Sequence, residues 1–188
     1  MNAKVFETEH LLIRPSIWED LEDFFEWERR PEVTEFFSIR DGQTMEECAS
    51  KFLEDKKNPK AEQFTIVLKP DSEAAEEPSE HRIGRIVLSD IEEGWKGELW
   101  RIYIADTHLR GCGLGREAML AIMQHCFCDL GFERLYLDHY TGNPAAYLYQ
   151  ILGFKYEGTL RKNCRKNGVL YDVHLMSMLR DEYEVRYK

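Results

Sequence analysis

A glycine-rich turn between an apolar strand and an amphipathic helix is the feature that most restricts the fold of this chain. The apolar stretch is IYI at residues 102–104, and the turn RGCGLGR follows at residues 110–116. The first N–H groups of a helix lack intrahelical partners and carry a partial positive charge, so the turn predicts an anion site. Glycine allows the backbone to approach a phosphate closely, and Arg110 and Arg116 can add charge-assisted contacts.

The spacing of the turn narrows the kind of anion site. A Walker loop requires Lys followed by Ser or Thr, a pair that is absent from this sequence. The dinucleotide-binding pattern requires a third glycine where Arg116 stands. The pattern that fits is R-x-x-G-x-G, from Arg110 through Gly113 to Gly115. The alternative is a glycine-rich turn that opens a helix and binds nothing.

Hydrophobic periodicity predicts two amphipathic helices ahead of the main sheet. Ser16 with Glu19, and Thr44 with Glu47, have the capping-box pattern at their starts, and the first helix should stop before Pro31. Apolar runs predict strands at residues 11–15, 64–68, 82–91, 97–105, 134–140, 155–164 and 169–178, and later helices at residues 113–130 and 143–153. Residues 70–80 are acidic and bracketed by prolines, which predicts a solvated loop.

Composition limits the class of protein. The net charge of −10 argues against nucleic-acid binding, although it is compatible with a cationic substrate. The sequence has no apolar run of the ~18 residues that a membrane span needs, and its opening residues lack the apolar stretch of a secretory signal, so we expect neither feature. Its five cysteines are odd in number and lack zinc-site spacing, so we expect free thiols in a reducing compartment. We expect a single domain over residues 1–188, in the cytoplasm, without a metal, nucleic-acid or membrane partner.

A second segment, NPAAYLYQILGF at residues 143–154, follows the strand predicted at 134–140. Asn143 and Pro144 are a favoured start for a helix, and Gly153 is a favoured stop. Tyr149 carries a phenol with an ordinary pKa of about 10, which can protonate a departing thiolate. Alternatively, Tyr149 is a core tyrosine and Asn143 only caps its helix.

Together, R-x-x-G-x-G at residues 110–115 and the N-x-x-A…Y…G-F pattern at residues 143–154 resemble the GNAT acetyltransferases. The opening TEHLLIRP (residues 8–15) and the ending EGTLR (157–161), with Asn167, Gly168, Asp172 and Met176, are similar to the RimJ/RimL-like branch. The resemblance implies an α/β GNAT fold, a mainly antiparallel mixed sheet of about seven strands flanked by helices. A V-shaped cofactor cleft is implied between the strands near residues 100 and 137.

The resemblance also implies which residues bind acetyl-CoA, with no metal. These are Ile102, Tyr103, Ile104, Arg110, Gly111, Cys112, Gly113, Leu114, Gly115, Arg116 and Asn143. The link from Ile104 to Arg110 is one residue longer than usual, so the backbone amide that polarises the thioester carbonyl is either Ile104 or Tyr103.

By the same resemblance, Tyr149 is the general acid and Glu98 the general base. Alternatively, Glu98 is an exposed strand residue, and Asp90, Asp138 and Asp172 compete for its role.

The implied activity is direct transfer of acetyl to a primary amine, which is a small amine, an amino acid, a polyamine or a protein N-terminus. The acceptor site would lie among the two early helices, their loop and the last hairpin. One alternative is a non-catalytic acyl-CoA-binding or regulatory domain, and another is a structural interaction protein. Homodimerisation is left open.

Overall fold

The computed structural model describes residues 5–70 and 80–188, and within them the chain forms a sheet of eight strands. The strands are β1 (Phe6–Glu7), β2 (Leu11–Pro15), β3 (Glu62–Leu68), β4 (His81–Glu92), β5 (Lys96–Ile104), β6 (Arg134–Tyr140), β7 (Lys155–Lys166) and β8 (Val169–Leu179). Their order across the sheet is β1-β2-β3-β4-β5-β6-β8-β7. Each predicted strand is confirmed, and β1 was not predicted.

The described residues also form six α-helices. They are α1 (Leu21–Trp27), α2 (Pro31–Thr34), α3 (Met45–Lys57), α4 (Leu114–Gln124), α5 (Ala145–Leu152) and α6 (Arg180–Tyr187). A π-helical turn, His125–Asp129, continues α4 and accounts for the rest of the long helix predicted there. The helices α2 and α6 were not predicted.

No helix in the described part of the chain is long and apolar enough to cross a membrane. The acidic loop predicted at residues 70–80 lies almost wholly outside the described residues, which stop at residue 70 and resume at residue 80.

One junction of the sheet differs from all the others. Every other pair of neighbouring strands is antiparallel, whereas β5 and β6 are parallel and pair only along Lys96–Glu98 and Arg134–Tyr136. Beyond those three pairs, β5 continues to Ile104 and β6 to Tyr140 without pairing to each other. The sheet therefore opens into a wedge, and the predicted mixed, mainly antiparallel fold with helices around it is confirmed.

Helices cover both faces of the sheet, as a layered α/β fold requires. On one face α4, α5 and α6 bury Ile122, Leu152 and Tyr183 in the larger core. On the other face α1 and α3 contribute Phe24 and Phe52 to a second core, together with side chains from the end of β5. The wedge between β5 and β6 thus lies between two packed layers.

Of the two predicted capping boxes, one is confirmed and the other is wrong. Thr44 and Glu47 form the predicted box, because the Glu47 N–H donates to Thr44 Oγ1 at 3.2 Å and the Thr44 N–H to Glu47 Oε2 at 2.8 Å. The box predicted for Ser16 with Glu19 is wrong. Asp20 Oδ2 instead accepts from the Ile17 N–H at 2.9 Å, and Ser16 Oγ contacts Thr65 Oγ1 at 3.0 Å. Ser16 is buried against β3 and is therefore turned away from the helix end.

Candidate active site

A cavity of about 1560 Å³ opens where β5 and β6 separate. It runs from the start of α4 and α5 to the space beneath α1 and α3, where the β7–β8 turn also lines it. Every residue predicted for the site lines this cavity except Cys112 and Leu114. Cys112 is exposed beside the turn, and the Leu114 side chain is buried in the larger core.

The glycine turn has an open, anion-compatible backbone. Gly111 and Gly113 have φ of +79° and +92°, in the left-handed region that favours glycine. A Cβ added to either would meet nothing within 4 Å, and one added to Gly115 would meet only a Leu148 methyl at 4.0 Å. Because α4 begins at Leu114, the unpaired N–H groups of its first turn follow directly from this turn. The geometry fits a diphosphate held by backbone amides.

The two arginines of the turn differ in their contacts. Arg110 Nε donates to the Ile104 carbonyl oxygen at 3.0 Å, and its Nη1 donates to the Glu32 carbonyl oxygen at 2.9 Å. Its guanidinium thus ties the turn to β5 and α2, whereas the sequence suggested a phosphate contact. Arg116 is exposed and lines the cavity, with no hydrogen-bond or ion-pair partner among the described residues.

The register of β4 and β5 shows which backbone groups face the wedge. Ala105 N–H donates to the Ile83 carbonyl oxygen at 2.8 Å, so the pair two residues away, Tyr103 with Arg85, also exchanges hydrogen bonds. The N–H and C=O groups of Ile102 and Ile104 therefore point away from β4, toward the wedge. The Tyr103 backbone points at β4, so the structure corrects the prediction of its backbone as a cofactor contact.

Tyr149 lies on α5 and lines the cavity, although its residue surface is only 7% exposed. Burial raises the pKa of Tyr149 to about 12, and the charge of Asp138 adds to the shift. The phenol is therefore protonated at neutral pH and available as a proton donor. Asn143 Oδ1 accepts from the Ala145 N–H at 2.9 Å, which is a capping contact, and Asn143 also lines the cavity.

Two of the four candidate bases line the cavity, Glu98 and Asp138. Burial raises the pKa of both, and the charge of Asp138 raises that of Glu98 further. Ser89 Oγ donates to Glu98 Oε2 at 2.8 Å, which opposes that rise. Asp90 and Asp172 are exposed and do not line the cavity.

A buried ionic cluster at the far end of the cavity was not predicted. Glu28 Oε1 accepts from Arg85 Nη1 at 2.8 Å, from Arg101 Nη1 at 2.7 Å and from Tyr103 Oη at 3.1 Å. Burial alone would raise the pKa of Glu28, but the two guanidiniums lower it below its ordinary value. No local pattern could have revealed this cluster, because Glu28 lies 57 to 75 residues from its partners.

Within residues 5–70 and 80–188, no group of three His, Cys, Asp or Glu residues could hold a metal ion.

Comparison with known proteins gives a consistent family. The profile of the acetyltransferase (GNAT) domain matches residues 10–155. The spermidine N(1)-acetyltransferase of Vibrio cholerae is 30% identical over 109 residues, which cover 57% of this chain and 62% of that protein. The uncharacterized N-acetyltransferase YnaD of Bacillus subtilis is 24% identical over 183 residues, covering 94% of this chain and 97% of that one. The chain spans 45% to 62% of the length of the first curated relatives that it matches.

The fold has solved counterparts. The crystal structure of spermidine N-acetyltransferase from Vibrio cholerae in complex with CoA and spermine has a TM-score of 0.78 to this chain at 21% identity, covering 94% of this chain and 99% of that one. The family profile covers most of the chain, and family membership supports the predicted acetyl transfer to an amine. The chain belongs to the GNAT acetyltransferase family.

Proposed function

We propose that this chain is an acetyl-CoA-dependent N-acetyltransferase that transfers acetyl directly to a primary amine. The observation that carries the proposal is that Tyr149 and the glycine turn line one cavity, at the point where β5 and β6 separate. A thioester whose diphosphate binds the start of α4 can thereby reach the phenol. Family membership supports the same reaction.

In this proposal the coenzyme binds mainly through backbone groups. The amides that follow Gly113 and Gly115 bind the diphosphate, and the exposed Arg116 adds a positive charge. The edge of β5 that carries Ile102 and Ile104 hydrogen-bonds the pantetheine arm, as an added strand would. Arg110 holds this edge and the turn together through the Ile104 carbonyl oxygen.

The chain's own residues would hold and move the protons of the reaction. The amine nitrogen forms a bond to the acetyl carbon, and the bond from that carbon to sulfur breaks. The Ile104 N–H stabilises the developing oxyanion. Glu98 or Asp138 accepts the proton that the amine loses, and the Tyr149 phenol protonates the departing thiolate. The products are an N-acetylated amine and free coenzyme A.

The presence of a proton donor in the cavity favours the interpretation that the chain is an enzyme over the alternative of a non-catalytic acyl-CoA-binding domain. A binding module needs the glycine turn but has no need of a buried phenol and two carboxylates beside the thioester. Tyr149, whose pKa burial raises to about 12, is protonated at neutral pH as an ordinary phenol is, and Glu98 and Asp138 have raised pKa values. A raised pKa brings the two carboxylates closer to neutral pH, which suits groups that accept and release a proton there.

We also propose the narrower features that the sequence suggested. These are membership of the RimJ/RimL-like branch, a single domain, and a cytoplasmic location suited to five free cysteines, while homodimerisation stays open. The acceptor classes remain a small amine, an amino acid, a polyamine or a protein N-terminus. The name of the Vibrio cholerae relative, which is 30% identical, supports small amines among them.

The test combines cofactor binding with turnover. Calorimetry with acetyl-CoA and with coenzyme A measures binding, and a thiol-release assay with a panel of primary amines measures acetyl transfer. Binding together with amine-dependent thiol release is the expected result. Binding without release for any amine would favour the acyl-CoA-binding alternative, and absence of binding would contradict both readings.

A further inference from the structure

The cavity has carboxylates at one end and guanidiniums at the other. Glu98 and Asp138 lie where β5 and β6 separate, and Arg85 and Arg101 lie beneath α1 and α3. Arg85 and Arg101 are only 3% and 8% exposed, and Glu28 is the carboxylate that contacts them both. Charges in a poorly solvated interior act more strongly than those at a surface. The far end of the cavity therefore favours an anion.

The two guanidiniums are not equivalent. Arg85 is enclosed, because Nη1 donates to Glu28 and Nη2 to Gln63, and its Nε is buried without a partner. Its guanidinium also packs on the Phe24 ring, 4.4 Å from the centroid. Arg85 thus contributes charge to the cavity but has no accessible donor to offer a ligand.

Arg101 has donors to spare. The Arg101 guanidinium has five N–H donors, and Glu28 accepts a hydrogen bond from its Nη1. No other acceptor among the described residues hydrogen-bonds the remaining donors. The guanidinium lies 4.4 Å from the centroid of the Trp100 ring and 5.9 Å from that of the Phe37 ring. These contacts hold a planar fork beside the cavity, and such a fork matches the geometry of a carboxylate.

The other acidic residues around the cavity do not cancel this charge. Glu47 is paired with Arg40 and occupied in its capping box. Glu32, Glu35 and Asp41 are exposed at the rim, where solvent and salt screen them. On the other side of the mouth, the β7–β8 hairpin contributes the exposed Arg165 to the lining.

Arg101 also has a suitable position along β5. It lies three residues from Glu98 and three from Ile104, which is about 10 Å along a strand in each direction. The guanidinium can therefore reach a group several bonds away from an amine held near Glu98 and the Ile104 N–H. The carboxylate of Glu98 and the guanidinium of Arg101, on residues about 10 Å apart along β5, match the two opposite charges of a zwitterion.

We propose that the acetyl acceptor is an amine that also carries a carboxylate, and that Arg101 binds this carboxylate. The inference rests on the proposed acetyl transfer and narrows its acceptor to amino acids or similar amino carboxylates. Arg101 then determines specificity, because an acceptor without the anion covers the spare donors of its guanidinium without pairing them.

The first test compares amines that differ only in the carboxylate. Phenylalanine is paired with phenethylamine, γ-aminobutyrate with butylamine, and ε-aminocaproate with hexylamine, so that the separation of the two groups also varies. We expect at least one amino carboxylate to exceed its partner in kcat/KM by about 10- to 100-fold. Spermidine is included as a cationic acceptor. Preference for spermidine, or for the plain amine in all three pairs, would overturn the inference.

The second test uses the same ratio in variants. In Arg101→Gln, the kcat/KM of the preferred amino carboxylate should differ from that of its plain amine by no more than about threefold. Arg101→Lys should restore part of the preference. Both members of a pair are measured on the same variant, so a general loss of folded protein lowers both kcat/KM values equally and leaves their ratio unchanged. Arg161→Gln is the matched control, because Arg161 is exposed on β7 and does not line the cavity. An unchanged ratio in Arg101→Gln would overturn the role of Arg101.

A binding measurement separates failure of the inference from failure of the proposed activity. Calorimetry on the protein saturated with coenzyme A compares the same three pairs without turnover. Tighter binding of the amino carboxylates, even without thiol release, would support the anion site while contradicting acetyl transfer. Equal or weaker binding would overturn the anion site whether or not amines are acetylated.

Discussion

Arg110 Nε donates a hydrogen bond of 3.0 Å to the carbonyl oxygen of Ile104, so the first residue of the glycine motif is tied to the last residue of β5. The same guanidinium donates to the Glu32 carbonyl oxygen, near the start of α2. Arg110 is therefore positioned to hold three parts of the cleft together rather than to remain free for a ligand.

Arg110→Met should weaken both the fold and the cofactor site. Loss of two hydrogen bonds should lower the free energy of unfolding by about 1 kcal/mol and the affinity for coenzyme A by about tenfold. Urea unfolding and calorimetry measure the two effects. Arg116→Met is the matched control, because the Arg116 side chain has no partner among the described residues. This variant should keep its free energy of unfolding, and its loss of affinity for coenzyme A should become smaller as the salt concentration rises. Equal stability of both variants would contradict the assigned role of Arg110.

Gly115 offers a sharper test of the turn. Its φ is outside the left-handed region, and an added Cβ would only touch a Leu148 methyl at 4.0 Å, so the fold does not require glycine there. Gly115→Ala should therefore leave the protein as stable or up to about 1 kcal/mol more stable, because alanine favours the helix. Its affinity for coenzyme A should fall at least about tenfold if the diphosphate approaches this backbone.

The comparison variant is Gly113→Ala. Gly113 has a φ of +92°, so this change should destabilise the chain by about 1–2 kcal/mol in addition to weakening coenzyme A binding. Undiminished affinity in Gly115→Ala would show that the phosphates bind elsewhere.

What the sequence predicted well has a local cause. The strands predicted at residues 155–164 and 169–178 are joined by a turn at Asn167 and Gly168, with φ of 49° and 81°, because this dipeptide tolerates the left-handed conformation. The cap at Thr44 is equally local, since Glu47 lies one helical turn away. Such features depend on neighbours within a few residues and are visible in the sequence.

What the sequence did not predict depends on distant neighbours. Ser16 has the local pattern of a helix cap, but burial against Thr65 overrides it. Glu28 directly follows α1 and is one of several acidic residues in that part of the sequence, and only the folded sheet brings Arg85 and Arg101 to it. The contact of Arg110 with Ile104 likewise depends on the path of the turn. The motifs predicted residues that line the candidate cavity, whereas no motif predicted the charged cluster of Glu28, Arg85 and Arg101.

Tyr149→Phe should separate catalysis from binding. The phenyl ring keeps its packing against Phe154 and His139, so stability and coenzyme A affinity should change little. Removal of the proton donor should lower kcat by about 100-fold. Steady-state kinetics with calorimetry measures both, and Tyr156→Phe, on exposed β7, is the control that removes a hydroxyl outside the cavity. Full activity of the Tyr149 variant would exclude it as the general acid.

The pH profile should identify the base. Burial and the charge of Asp138 raise the pKa of Glu98, so kcat/KM should increase with pH through a value above that of an ordinary glutamate. Glu98→Gln should abolish this acid limb and lower the plateau. Asp138→Asn removes a negative neighbour, which favours the ionised form of Glu98 and should move the limb to lower pH. If the limb survives in Glu98→Gln and disappears in Asp138→Asn, Asp138 is the base.

His125, outside the cavity, should make stability depend on pH. Its Nε2 lies 2.7 Å from Glu62 Oε2 and its Nδ1 2.9 Å from Asp129 Oδ2, which joins β3 to the π-helical turn. Burial lowers the pKa of His125, but the two carboxylates raise it by more than burial lowers it. The pKa in the folded protein therefore exceeds the ordinary value of about 6.5. The stabilisation is complete below about pH 6.5 and is lost as pH rises through the folded pKa.

His125→Gln should therefore destabilise the protein by about 1–2 kcal/mol at about pH 5.5 and by clearly less at about pH 9. Urea unfolding at the two pH values measures this difference. His81→Gln is the matched control, because His81 is exposed at the start of β4 and lies outside the contacts with Glu62 and Asp129. A penalty for the His125 variant that is equal at both pH values, or larger at high pH, would mean that the imidazole is neutral in the folded protein and that its contacts with Glu62 and Asp129 are ordinary hydrogen bonds.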